Sequence, residues 1–211
     1  MKKPISALLA LLSTLLALPA WAGAVPLTLN VYVHADIQDR DPARLYKDYL
    51  APWKQEMEEF SGRSVEVRFI TDAPAVEDIA YKGSGEQAHL NRLIDTFRSR
   101  VDEYQRHRNI TPKNFKTEKH LLLVQSRLAA TILGVAHQGS SLGIASLETY
   151  SAAGHELGHM LNGTHENAET LLNPWFCETY LVATRQALRS NCYRYSDANR
   201  EAIKQYLRTA P

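Results

Sequence analysis

Leu27, Leu29, Val31 and Val33 alternate with Thr28, Asn30 and Tyr32. This two-residue period marks a strand with one face against a core, so a strand is predicted to open the folded domain. Leu45, Tyr46, Tyr49, Leu50, Trp53, Met57 and Phe60 then recur at intervals of three and four. They predict an amphipathic helix that Gly62 ends. Val65, Val67 and Phe69 restore the strand period, and after a loop rich in Pro, Gly and Asp, the residues Leu90, Leu93, Ile94, Phe97, Val101 and Tyr104 predict a second helix. The unbroken apolar run Leu121 to Val124 suits a central strand covered on both faces. Two short strands are predicted at Thr131 to Val135 and Gly143 to Ser146, separated by the turn-forming Gln138-Gly-Ser-Ser141. A helix follows around Tyr150 to Leu161, then a long irregular region, then a last helix capped by Ser196-Asp197 with Ile203, Tyr206 and Leu207 on its inner face. The order strand, helix, strand, helix, strand predicts an α/β (α+β) fold with largely parallel pairing. No repeat or linker divides it.

The first residues read differently. Lys2 and Lys3 precede an apolar run from Ser6 to Pro19 that ends in Ala20-Trp21-Ala22. That is the pattern of a secretory signal peptide, residues 1–22, removed to leave residues 23–211. The run is shorter than the roughly 20 apolar residues a spanning helix needs, so the mature protein is expected to have no membrane span. Export, to a periplasm or out of the cell, favours disulfides, and the two cysteines, Cys177 and Cys192, are expected to bond to each other. Metal-binding thiolates are the weaker reading, because the pair lacks CxxC spacing. With 211 residues, 24 Lys+Arg against 23 Asp+Glu, 45% hydrophobic and 22% charged residues, composition predicts one ordered domain and excludes disorder. The balanced charge removes the electrostatic footprint of a nucleic-acid binder. A monomer is expected.

Chemistry is concentrated in residues 155 to 165, His-Glu-Leu-Gly-His-Met-Leu-Asn-Gly-Thr-His. His155 and His159 are four apart, so on a helix their rings share one face and can meet a single ion. Glu156 lies to the side, where its carboxylate can reach a metal-bound water without ligating, as a general base must. A catalytic zinc takes three protein ligands and keeps one position open, and His165 is the natural third. To return it to the same ion the chain must leave the helix sharply, through a residue at positive φ, which Asn162 or Gly163 adopts cheaply. Two other readings stay open: a structural zinc with a closed four-ligand shell, and a different zinc-peptidase clan in which Glu169 or Glu178 is the third ligand.

This spacing resembles the metzincin clan of zinc endopeptidases, whose signature is HExxHxxGxxH. His155, Glu156, His159 and His165 match it, and the glycine position holds Asn162, with Gly163 one residue late. The resemblance implies a mixed five-stranded sheet, two long helices and an active-site helix in an upper part, 23–161, with a small irregular lower part, 162–211, ending in a helix. It also implies a turn beneath the metal that carries methionine, yet no methionine follows His165. Cys177-Glu-Thr-Tyr-Leu181 and Arg189-Ser-Asn-Cys192 look similar to the reprolysin or adamalysin branch, which makes Leu181 the apolar substitute and Tyr180 a packing residue of the turn. Glu166, after the third histidine, does not separate that branch from the astacin-like one. In metzincins an edge strand before the active-site helix binds extended peptide, which the resemblance places at Gly143 to Ser146, where a plain edge strand is the competing reading.

These residues together imply a secreted zinc-dependent endopeptidase with one catalytic Zn2+ held by His155, His159 and His165 and with Glu156 as base, acting on a peptide or protein. The rival is a secreted zinc-containing protein that binds a peptide or partner without turnover. His34, His89, His107, His120 and His137 have no ligand spacing and are expected at the surface or in hydrogen bonds. Lys113, Lys116 and Lys119 are expected to face solvent.

Overall fold

Alternation along β1 (Leu27–Val33) divides the molecule into two cores. Leu27, Leu29, Val31 and Val33 enter one hydrophobic cluster, while Tyr32 enters another on the opposite face. The computed structural model describes residues 25–173, 175–186 and 188–210. The segment read as a signal peptide, 1–22, lies outside the described residues.

From Asp41, whose carboxylate accepts the Ala43 N–H, the chain winds through α1 (Pro42–Leu45), a π-helical turn at Tyr46–Leu50 and α2 (Ala51–Ser61). Gly62 stops it at φ 68°, with its N–H on the Glu58 carbonyl. There follow β2 (Val65–Ile70), the short α3 (Pro74–Glu77), α4 (Gln87–His107), β3 (Glu118–Val124), β4 (Gly134–Ala136), β5 (Leu142–Ser146) and α5 (Ala152–Met160). The sheet runs β2-β1-β3-β5-β4, parallel throughout except where β4 doubles back on β5. This is the mixed five-stranded α/β layer expected from the sequence. β3 is central and buried on both faces, with Leu121 and Leu123 in the first core and Leu122 and Val124 in the second. On the first face, Trp53 and Met57 of α2, Leu157 of α5 and Ile203 of α6 (Asp197–Arg208) close the core. On the second, α4 covers the sheet with Leu90, Leu93, Ile94, Phe97 and Val101. Among the described residues no helix is long and apolar enough to cross a membrane.

Four expectations are corrected. A tight turn pairs Ala129 with Ile132, so the strand predicted at Thr131 starts later, at Gly134. Gly143 to Ser146 does not form an edge, because β4 covers β5 on that side and is itself the edge strand. The lower region expected to be irregular contains a small sheet, β6 (Thr170–Asn173), β7 (Trp175–Glu178) and β8 (Ser190–Asn191), in the order β6-β7-β8. Its strands are too short for a legible period. Cys177 and Cys192 are joined there as expected, across 15 residues, a closure that stabilises the fold by roughly 3 kcal/mol in the chain-entropy account.

The fourth correction is Lys119, which is fully buried. Its Nζ donates to the Ser140 carbonyl at 2.8 Å, the Met160 carbonyl at 2.8 Å and the Tyr206 hydroxyl at 3.1 Å. Three acceptors use all three ammonium donors, and one of them is the last carbonyl of α5, where a cation also meets the negative end of the helix dipole. Burial, and then the charge of Lys116, push its pKa down to about 7. Between about pH 7 and about pH 10.4 the unfolded chain therefore binds more protons than the folded one, so Lys119 makes stability rise with pH, by at most about 1.4 kcal/mol per unit. Lys119→Met is expected to remove that rise. Denaturant titrations of both proteins at about pH 7 and about pH 9 check this, and an equal gain in the two would contradict it.

Candidate metal centre

The nine residues of α5 contain two alanines and two glycines, so its backbone comes close to its neighbours, and it is buried along most of its length. His155 and His159 lie one turn apart on the face that points to the lower sheet. The chain then leaves the helix at Leu161. Asn162 takes φ 74°, and the Gly163 N–H bonds back to the Gly158 carbonyl at 2.8 Å. Asn199 of α6 holds the next residue by both edges of its amide, accepting from the Thr164 N–H at 2.9 Å and donating to the Thr164 carbonyl at 3.0 Å. This reversal returns His165 to the first two rings. Of the two residues suited to the turn, Asn162 supplies the positive φ, and Gly163 answers a different need. A Cβ there meets Leu181 Cδ1 at 2.5 Å and the Gly158 carbonyl at 3.0 Å, so a side chain fits only if buried Leu181 shifts.

The three Nε2 atoms converge, at 3.2 Å between His155 and His159, 2.9 Å between His159 and His165, and 3.0 Å between His165 and His155. His155 Nδ1 faces the Tyr180 carbonyl at 2.7 Å, and His159 Nδ1 faces the Gly163 carbonyl at 3.1 Å. A carbonyl oxygen only accepts, so both Nδ1 atoms carry hydrogen. Burial, reinforced by the two neighbouring imidazoles, lowers the His155 pKa to about 3, and burial lowers that of His159 as well. Both rings are therefore neutral at pH 7, with their Nε2 lone pairs aimed at one point and no proton between them. Lone pairs repel at this range unless a cation lies among them. Nitrogens about 2.0–2.1 Å from a tetrahedral ion are about 3.3 Å apart, close to the spacing seen here. The residues fit a zinc ion. Among the described residues, this triad is the group of His, Cys, Asp and Glu side chains close enough to hold a metal. Neither Glu169 nor Glu178 belongs to it, nor do the other histidines. His34 instead meets Asp36 at 2.6 Å and the Ile79 carbonyl at 3.0 Å, and His120 meets the Tyr32 hydroxyl at 3.3 Å.

Glu156 is buried, and its carboxylate lies beside Gly134 of the edge strand. The space its carboxylate fills exists because residue 134 is glycine, since a Cβ there lies 2.5 Å from Glu156 Oε1 and 2.6 Å from the Ile144 carbonyl. Burial pushes the Glu156 carboxyl well above the usual carboxylate range. His155, Glu156 and His165 line one cleft of about 520 Å³, bounded by Thr131–Leu133 ahead of β4, by Gly134 at its start, and by Thr179, Tyr180 and Val182–Arg185 below. Beneath the rings, Leu181 is fully buried against the helix, and the Tyr180 ring packs over Gly154, where a Cβ meets it at 2.4 Å. The sequence gives no sign of the Tyr180 and Gly163 carbonyls, because every residue has one. For Gly134 the only signal is a glycine at the start of a short strand.

No protein-family model matches the sequence, and no curated protein matches it. Among solved structures, the crystal structure of archaemetzincin from Methanopyrus kandleri is similar, with a TM-score of 0.50 at 13% identity over 87% of this chain and 96% of that one. The likeness is one of fold, that of a mixed α/β layer of metzincin-like architecture.

The division of labour between residues 162 and 163 is testable. Asn162→Gly is expected to leave stability within about 0.5 kcal/mol, whereas Gly163→Ala, crowded against Leu181, costs about 1–3 kcal/mol. Denaturant midpoints check both, and a Gly163→Ala protein as stable as its parent would contradict the close approach described above.

Proposed function

We propose that the protein is an exported zinc-dependent endopeptidase, with one ion held by His155, His159 and His165. The observation that supports it most directly is the convergence of three imidazole Nε2 atoms beside a buried carboxylate, in a cleft of about 520 Å³. When bound, zinc supplies Lewis acidity toward water and toward a peptide carbonyl. The protein's own groups supply the rest. The Tyr180 and Gly163 carbonyls keep the rings in the tautomer that ligates. Glu156, with its carboxylate in the hollow left by Gly134, takes the proton from the attacking water and delivers it to the leaving amine. The free side of β4 is a backbone ladder on which an extended peptide can pair, with the Thr179–Arg185 segment opposite. The Cys177–Cys192 bond fits an oxidising compartment, in a periplasm or outside the cell.

Glu156→Gln is expected to keep its zinc and to lose about 10²–10⁴-fold in kcat/KM on a peptide library, while His159→Ala loses the metal. Metal analysis and peptide digestion, with and without a chelator and added zinc, separate the readings. Full cleavage by the zinc-loaded Glu156→Gln protein refutes the assigned base. Stoichiometric zinc with no cleavage by the parent protein leaves a metal-containing binding protein instead.

A further inference from the structure

The Tyr180 carbonyl that orients His155 is positioned by the lower sheet, and the disulfide is built into that sheet. Two arms run from the bond toward α5. From Cys177 the first arm passes through Glu178 and Thr179 to Tyr180, whose carbonyl meets His155 Nδ1 at 2.7 Å. From Cys192 the second passes through Tyr193 and Arg194 to Tyr195, whose hydroxyl donates to the Gly154 carbonyl at 2.7 Å, one residue before His155. Rungs join them, from the Cys192 N–H to the Glu178 carbonyl at 3.0 Å and from the Tyr180 N–H to the Arg194 carbonyl at 2.9 Å. Beyond these rungs the arms are joined by the two-residue β7–β8 ladder and by the Tyr180 ring packed on that of Tyr195, 5.1 Å between centroids, while Ala183–Gln186 and Leu188 of the connecting loop are exposed. The disulfide is the covalent tie between the segment that aims the His155 ring and the segment anchored on the helix that bears it.

We propose that this bond sets the metal affinity of the triad, so that the chain holds zinc tightly when Cys177 and Cys192 are oxidised and weakly when they are reduced. The proposal rests on the metal-site reading above. Oxidation removes two protons and two electrons from the two thiols, and a small-molecule disulfide takes them up to become two thiols. Reduction removes the covalent tie between the arms, so that noncovalent contacts alone hold the first against the second and the acceptor of the His155 N–H is fixed less tightly. Outer partners of this kind are worth about 10–100-fold in metal affinity. A chain folding in a reducing compartment thus binds the ion weakly, and tight binding follows passage to an oxidising one. That supplies a restraint on activity without a blocking segment.

The experiment compares zinc dissociation constants, by competition with a chromophoric chelator, for the oxidised protein, the same protein reduced by a phosphine and desalted, and the Cys177→Ala/Cys192→Ala protein. Far-UV circular dichroism is recorded for each. The expected result is an affinity at least about tenfold weaker in the reduced and doubly substituted forms, with helix content retained, and recovery in the reduced parent alone after treatment with glutathione disulfide. A smaller change overturns the proposal, and so does loss of helix content on reduction, because the effect is then global unfolding. Failure of the oxidised protein to bind zinc removes the metal-site reading as well. Tight zinc binding by oxidised protein that cleaves no peptide removes only the peptidase reading.

Discussion

Two backbone carbonyls decide what the histidine cluster is. Were Nδ1 of His155 and His159 free to exchange protons with Nε2, the three rings could settle as an ordinary hydrogen-bonded group. The Tyr180 and Gly163 carbonyls hold hydrogen on the outer nitrogens of these two rings, so neither can donate to the other. The inner nitrogens of His155 and His159 are left as acceptors facing each other at 3.2 Å, an exposure that a cation offsets. The rest of the fold serves to keep these two oxygens in place. The Gly163 carbonyl is fixed by the turn at the end of α5, and the Tyr180 carbonyl by a segment about twenty residues further on in the chain.

That dependence explains why α5 is held at its ends as well as along its side. At its start, the Tyr195 hydroxyl donates to the Gly154 carbonyl while accepting from Trp53 Nε1 at 3.0 Å, which ties the helix to α2 and to the lower part at one atom. At its end, Lys119 reaches from the central strand to the Met160 carbonyl. A nine-residue helix is too short to be stable alone, so its position is set almost wholly by such contacts and by the core beneath it. Precision in the site is therefore a property of the long-range network rather than of the helix.

The same distinction separates what the sequence discloses from what it hides. β1, the α1 to α2 helical run, α4 and α6 are legible because each buries one continuous face and so repeats at its own period. His155, Glu156, His159 and His165 are legible because a helix followed by one turn fixes their relation locally. Lys119 is not, because its acceptors are 21, 41 and 87 residues away in sequence and without them a lysine reads as surface. β4 is displaced because a tight turn at Ala129–Ile132 takes residues that propensity assigns to the strand. With β4 returning antiparallel, β5 is interior, so small residues alone do not identify an edge. The β6 to β8 sheet is missed for a different reason, since its strands bury too little to leave a pattern.

Residues 162, 163 and 181 answer to one constraint. Leu181 is buried under the turn, and its branched end occupies the volume a side chain at 163 needs. Leucine there makes any side chain at 163 costly, because Leu181 must shift to admit it. Gly163 is not among the positive-φ residues, so it is present for its size and not for its conformational freedom. The reversal of the chain still requires one left-handed residue, and it falls one place earlier, on the residue type that tolerates it best after glycine. Asn162 and Leu181 are thus linked through Gly163. On this account a larger or differently shaped side chain at 181 changes the allowed residues at 162 and 163 together, and substitutions at the three positions are non-additive.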